Sequence, residues 1–238
     1  MIRISRTCAC VVVLAAAAGL TAPEAHAQTF NLGFSSLPSA QGWSYAGNVA
    51  ESSAFSVSGN TLFQNTVGKG LSTDAYYALN GVVDLTKPFS LSVRVRVTAD
   101  EPNGTRTYGF GFGAESPTNY FAFSVENGVV FDHNTIAVST DTSVFHDYRL
   151  DGDFSTGVCK LYIDGANVAN GTSVAFPETN TVFFGDSTPT GGNANAQITQ
   201  FSFANNSVGA PEPSTLLLIS QALPFAGALL IVRRRRNR

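Results

Sequence analysis

Between residues 29 and 204 the chain alternates apolar and polar positions. In Phe89-Ser90-Leu91-Ser92-Val93-Arg94-Val95-Arg96-Val97 one face is wholly apolar and the other carries Ser90, Ser92, Arg94 and Arg96. That is the pattern of an antiparallel strand with one side on a core. Shorter runs of the same kind occupy residues 54–58, 61–64, 108–112, 120–125, 129–131, 148–150, 158–163, 181–184 and 198–203. Turn-forming residues separate them at Ser58-Gly59-Asn60, Asn103-Gly104, Asn127-Gly128, Asp164-Gly165, Asn170-Gly171 and Gly191-Gly192-Asn193. No helical period competes, and no internal repeat points to a propeller or solenoid. Many short strands at this spacing predict an all-β body, a two-sheet sandwich or a barrel.

Both ends break the alternation. Arg3 and Arg6 precede an apolar stretch at 11–20, and Ala25-His26-Ala27 forms a small-x-small cleavage site before Gln28. This is the layout of a secretory signal peptide, residues 1–27, with the mature chain expected to begin at Gln28. Cys8 and Cys10 lie before the apolar stretch instead of closing it, which argues against lipidation. At the other end, residues 216–232 form an apolar run of 17 residues. As a helix it is about 25 Å long, near the lower limit for crossing a bilayer. Ser220, Gln221 and Pro224 inside it leave a buried core helix as an alternative, but the arginines at 233–236 and 238 make a stop-transfer pattern. The positive-inside rule puts that end in the cytoplasm and everything before Pro211 across the membrane.

Together, Pro211-Glu212-Pro213, one short apolar helix and the cluster Arg233, Arg234, Arg235, Arg236 closely resemble the PEP-CTERM sorting signal of Gram-negative bacteria. The resemblance implies an exosortase as partner, a membrane transpeptidase that processes the tail of an inner-membrane-anchored precursor. It also implies a final location at the cell surface or in the extracellular matrix. A plain single-span anchor is the alternative. The expected organisation is a signal peptide 1–27, a body 28–203, a linker 204–210 and a sorting tail 211–238.

Setting the ends aside changes the charge. Of 14 Lys and Arg, two fall in the signal segment and five in the tail, leaving 7 against 15 Asp and Glu in residues 28–210. The body is therefore acidic, near −8. That excess argues against nucleic-acid and anionic-lipid partners, which call for basic patches. Cys159 is the one thiol left in the body, so no internal disulfide is expected. Alternating with Leu161 and Ile163, it is expected to face the core as a small hydrophobe.

A second resemblance covers most of the body. Phe145-His146-Asp147-Tyr148-Arg149-Leu150 followed by Gly157-Val158-Cys159-Lys160-Leu161-Tyr162-Ile163-Asp164-Gly165 is similar to the paired central strands of concanavalin A-like, laminin G-type jelly rolls. Leu37-Pro38-Ser39-Ala40-Gln41-Gly42-Trp43 and residues 198–203 resemble their first and last strands. The resemblance implies an antiparallel two-sheet jelly-roll sandwich, here flanked by an N-terminal signal helix and a C-terminal single transmembrane helix. It implies no single activity, because such folds host lectins, hydrolases, lyases and adhesive modules.

Glycoside hydrolases of this fold carry a Glu-x-Asp-x-x-Glu strand, since retaining chemistry needs two nearby carboxyls. No Glu here is followed two residues later by Asp. A Gly-x-Ser-x-Gly elbow is missing too, and His133 and His146 are the body's histidines. Zinc has no ligand cluster. Asp151-Gly152-Asp153, with Ser155 and Thr156, could open a calcium loop, or could be a bare hairpin turn between strands ending at Leu150 and starting at Gly157. No other cofactor is indicated.

Tyr108-Gly109-Phe110-Gly111-Phe112-Gly113 would put aromatics on one face and glycines on the other, and strand glycines often mark close approach by a ligand. With Arg94 and Arg96 on an expected neighbouring strand and Tyr120 beside them, Gly109 and Gly111 would floor a groove for an acidic polysaccharide. The alternative is that the glycines relieve crowding and the arginines are a solvated face. The expectation is a non-catalytic surface or matrix protein that binds extracellular polysaccharide. A carbohydrate-active enzyme with an atypical site and a purely structural or adhesive protein are the competing classes.

Overall fold

A computed structural model describes residues 29–102, 109–126, 128–132, 136–175, 179–187 and 191–205. The signal segment with Ala25, Ala27 and Gln28, the linker after Asn205, the tail with Pro211, Glu212, Pro213 and the arginines from Arg233 onward, and Tyr108 and His133 lie outside these residues. Among the described residues no helix is long and apolar enough to cross a membrane.

Sixteen strands follow one another in that set. The first eight are β1 (Thr29–Leu32), β2 (Ser44–Gly47), β3 (Phe55–Ser58), β4 (Thr61–Asn65), β5 (Ala75–Asn80), β6 (Phe89–Glu101), β7 (Gly111–Glu115) and β8 (Asn119–Glu126). The others are β9 (Val129–Asp132), β10 (Ile136–Ser139), β11 (His146–Asp153), β12 (Val158–Ile163), β13 (Ala166–Thr172), β14 (Val174–Ala175), β15 (Thr181–Asp186) and β16 (Asn193–Asn205). Helical structure among the described residues amounts to a 3-10 turn at Pro38–Gln41 and one α-turn at Glu51–Ala54.

The strands form two antiparallel sheets of eight. Sheet A has the order β13-β12-β11-β6-β16-β4-β3, with β1 also paired to β16. Sheet B runs β10-β9-β8-β7-β15-β5-β2, with β14 on β8. The chain changes sheet between β1 and β2, β2 and β3, β4 and β5, β5 and β6, β6 and β7, β10 and β11, β13 and β14, and β15 and β16. The result is a jelly-roll-like sandwich, as the alternation and the second resemblance lead one to expect.

Phe89, Leu91, Val93 and Val95 of β6 face inward and are buried, as are Phe112 of β7, Phe121 and Phe123 of β8 and Phe184 of β15. Trp43 ties the layers together, its ring edge-on to Phe184 of sheet B at 5.3 Å and to Phe201 of sheet A at 5.2 Å. Phe112 with Tyr148, at 6.2 Å, and Phe89 with Phe121, at 5.8 Å, bridge the sheets elsewhere. Each such ring stabilises the fold by about 1.5–3 kcal/mol through burial. Cys159 joins this core at 2% exposure, in line with its place in the alternation.

Ile198 and Phe201 are three residues apart yet both buried. A β-bulge at Thr199 reconciles them, since the pairing of β16 with β6 slips between Ile198 and Gln200 and reverses the facing of every later residue. The strand expected at 108–112 begins at Gly111 instead, and Gly109 and Phe110 form a bend where the chain enters sheet B.

Candidate functional site

Inward-facing Val, Leu and Phe in β6 force its polar residues outward, and the same holds for β11 and β12. Three adjacent strands of sheet A therefore present Ser90, Ser92, Arg94 and Arg96, then Asp147, Arg149, Asp151 and Asp153, then Val158, Lys160 and Tyr162. The register groups them into rows. Lys160 stands opposite Asp151 and Asp151 opposite Ser90; Tyr162 stands opposite Arg149 and Arg149 opposite Ser92; Asp147 stands opposite Arg94.

Side-chain contacts join these rows. Arg94 donates from Nη1 to both oxygens of Asp147 at 2.9 Å. The Ser90 hydroxyl donates to Asp151 Oδ1 at 2.7 Å, and Arg149 Nε lies 3.3 Å from Asp151 Oδ2, an ion pair without the alignment of a hydrogen bond. The Arg149 guanidinium also covers one face of Tyr162, 4.1 Å from the ring centroid. Asp153 Oδ1 accepts from the hydroxyl and the N–H of Ser155, at 2.6 and 2.8 Å, and these bonds hold its carboxyl below the usual range. Arg96 donates from Nε and Nη2 to Gln197 Oε1 and stacks 4.9 Å from the centre of Phe145.

One end of this face forms a groove of about 260 Å³, lined by Pro88, Asp151, Asp153, Thr156, Val158, Lys160 and Tyr162. Gly152 also lines it, and it has no room for a side chain on the core side, where a Cβ would come within 2.5 Å of the Phe89 ring. The groove offers an aromatic wall, two carboxylates and an ammonium, a set suited to a small polar ring system with several hydroxyls.

The expected glycine groove is not assembled as anticipated. Phe110 and Phe112 do face the core, and Gly111 and Gly113 face outward on sheet B with Tyr120 on the neighbouring strand. Arg94 and Arg96, however, belong to sheet A, where β6 lies between β11 and β16. Gly109 is packed against Asn193 and Ala194, whose atoms a Cβ would meet at 2.5 Å. The correction has a physical reason: alternation tells which way a side chain points but not which strand lies beside it, and β6 and β7, consecutive along the chain, belong to different sheets. Gly113 answers to crowding, since a Cβ there would lie 2.3 Å from Phe121 O and 2.9 Å from the Phe183 ring. Gly111 is less confined, its nearest neighbours standing at 3.6 Å.

The calcium-loop reading of Asp151 and Asp153 also changes. β11 extends through Asp153, so both residues are strand positions facing outward, and the turn starts after them. Among the described residues no group of three or more His, Cys, Asp or Glu could hold a metal. His146 pairs Nδ1 with Asp164 Oδ2 at 2.6 Å and sets Nε2 2.9 Å from the Asp141 carbonyl oxygen. Both contacts fasten the start of β11, an interior strand of sheet A, to the 141 and 164 turns. Lys160, Tyr162 and Val158 were not singled out in the sequence. Their signal was the burial expected of Cys159, Leu161 and Ile163, which sends the intervening side chains outward.

No protein-family model matches the chain, and no curated protein matches it. Among solved structures it is similar to a native glycosidic hydrolase, with 14% identity, a TM-score of 0.48, and coverage of 77% of this chain and 97% of that one. It is similar to arcelin-5, a lectin-like defense protein from Phaseolus vulgaris, with 11% identity, a TM-score of 0.44, and coverage of 75% and 98%. A sialidase matches at 10% identity and a TM-score of 0.48 over 71% of this chain, which spans 17% of that protein's length.

Proposed function

We propose that this is an exported bacterial surface or matrix protein whose jelly-roll-like body binds extracellular polysaccharide without cleaving it. The observation that carries the binding reading is Tyr162: one face of its ring is backed by the Arg149 guanidinium, and the ring stands in the groove with Asp151, Asp153 and Lys160. A sugar ring stacks on the aromatic face while its hydroxyls bond the carboxylates and the ammonium.

The non-catalytic part of the reading is supported by the sequence: retaining glycoside hydrolases need two carboxyls close together, and no Glu of the chain is followed two residues later by Asp. In the groove Asp151 accepts from Ser90 and pairs with Arg149, and Asp153 accepts from Ser155, so both carboxylates have structural partners. Export through the segment 1–27 and sorting through Pro211-Glu212-Pro213, the apolar run and the arginines complete the proposal. An exosortase is the processing partner.

The test uses the full chain solubilised in detergent and passed over immobilised bacterial exopolysaccharides. Retention should fall on the order of tenfold for Tyr162→Ala, the effect of about 1.4 kcal/mol. Release of reducing ends or unsaturated sugars from any of these polymers would overturn the non-catalytic reading. For sorting, Glu212→Ala should leave unprocessed precursor in the membrane, and normal processing of that variant would refute the exosortase assignment.

A further inference from the structure

The body has seven Lys and Arg, and four of them, Arg94, Arg96, Arg149 and Lys160, project from one face of three adjacent strands. Two of the four are neutralised, Arg94 by Asp147 and Arg149 by Asp151. The other two, Arg96 and Lys160, make no ion pair among the described residues. Arg96 is also held in place: Phe145 stacks against its guanidinium and Gln197 receives its Nε and Nη2.

The distance between these cations limits what can use both. Lys160 is level with Ser90 through Asp151, and Arg96 lies six residues farther along β6. At about 3.4 Å per residue that is roughly 20 Å along the strands, with two inter-strand spacings of about 4.8 Å across them. A monosaccharide or a single anion cannot reach from one to the other. Asp147 and Asp151, which stand between, are already paired and oppose a passing anion less than free carboxylates would. Asp153 lies beyond Asp151 on the side away from Arg96, so repulsion from it directs a negative chain toward the arginine end.

We infer that the ligand of this face is an acidic polysaccharide, a chain of carboxylated sugars that lies across the outer surface of sheet A and contacts both Lys160 and Arg96. The inference rests on the polysaccharide-binding reading and adds to it the charge of the polymer, its minimum length and its path. Nucleic acid shares the negative charge, but two unpaired cations about 20 Å apart fall short of the dense basic patch that its closely spaced phosphates require.

Calorimetric titration of the full chain in detergent tests the inference. The probes are galacturonate, mannuronate and glucuronate oligomers of increasing length, their neutral galactose, mannose and glucose counterparts, and a single-stranded oligodeoxynucleotide. At least one acidic series should bind more tightly than its neutral counterpart, with affinity rising until the oligomer spans roughly 20 Å. Binding should weaken as salt rises, because exposed charges are screened. Arg96→Gln and Lys160→Gln should each weaken binding of the long oligomers on the order of fivefold, with short oligomers losing affinity for one variant only. Arg96→Lys, which keeps the charge, should recover part of the loss.

Equal binding of neutral and acidic series, with loss on Tyr162→Ala, overturns the inference and leaves the groove reading standing. An unchanged long-oligomer affinity in Arg96→Gln overturns it in the same way. Failure of every sugar series to bind overturns both readings. Binding of the oligonucleotide as tight as that of the acidic sugars replaces polysaccharide with a different class of ligand.

Discussion

Replacing Gly152 by Ala adds one methyl group at a place where β11 lies directly on the core. The new Cβ would stand 2.5 Å from Phe89 Cζ and 2.7 Å from its Cε1, well inside contact distance. Phe89 cannot retreat easily, since it is fully buried, with Phe121 at 5.8 Å, Phe154 at 5.5 Å and Phe203 at 5.9 Å from its ring centre. Either the ring leaves its rotamer or β11 lifts by nearly 1 Å, and overpacking of this kind costs about 1–3 kcal/mol. Gly111→Ala is the matched control, because its Cβ would meet ordinary contacts at 3.6 Å and beyond. That change should be neutral or stabilising by about 0.4–1 kcal/mol through loss of unfolded-chain freedom. Urea unfolding followed by fluorescence of Trp43, the only tryptophan, reads both variants. Adding Phe89→Leu to Gly152→Ala should recover part of the loss, as a double-mutant cycle would register. The steric reasoning is refuted if Gly152→Ala unfolds at the wild-type midpoint, or if Gly111→Ala is destabilised as much.

Trp43→Ala should cost about 3–5 kcal/mol, read by circular dichroism, because it removes the ring shared by Phe184 and Phe201 and leaves a cavity between the sheets. Asp147→Asn should cost less than about 1 kcal/mol in urea unfolding despite its two bonds to Arg94, because both side chains of that pair are well exposed. The N–H of Asp147, and secondly His146, hold the Asp164 carboxyl below its usual range, as Ser155 does for Asp153. A lowered folded value means stability that is present above the unfolded value, about pH 3.9, and is lost as pH falls through the folded one. The urea midpoint should therefore drop below about pH 4, and Asp164→Asn should flatten that drop. Cys159 should resist thiol reagents in the native state and react fully in denaturant, a contrast that mass spectrometry measures directly.

Much of this fold was legible because one-sided burial writes itself as alternation. β6, β8 and β12 were visible that way, and so was the inward place of Cys159. β5 was not, because Ala75-Tyr76-Tyr77-Ala78-Leu79 is apolar on both faces, so its period vanishes. The candidate site divides along the same line. The outward direction of Arg94, Arg96, Asp151 and Asp153 follows from local pattern, whereas their neighbours follow from strand order, which depends on contacts between residues far apart in sequence. Tyr162 and Lys160 meet Arg149 and Asp151 through a hairpin that is short in sequence, so their pairing was accessible, although the glycine-rich stretch at 108–113 is the more conspicuous pattern.

The place of β16 in sheet A bears on how the body can form. It is the last of the described strands, yet it sits between β6 and β4 and also carries β1. Until residues 193–205 are available, the β3–β4 hairpin has no link to the rest of its sheet and β1 has no partner among the described strands. A chain that emerges from its N-terminus can thus pair sheet B and the β13-β12-β11-β6 side of sheet A, but leaves the β3–β4 hairpin and β1 unattached to them. Assembly waits for a contact between Thr29 and Ala204, near the two ends of the sandwich, and such long-range closure slows folding. Truncation before residue 193 would remove the middle of a sheet, and the hairpins left on either side would share no seam.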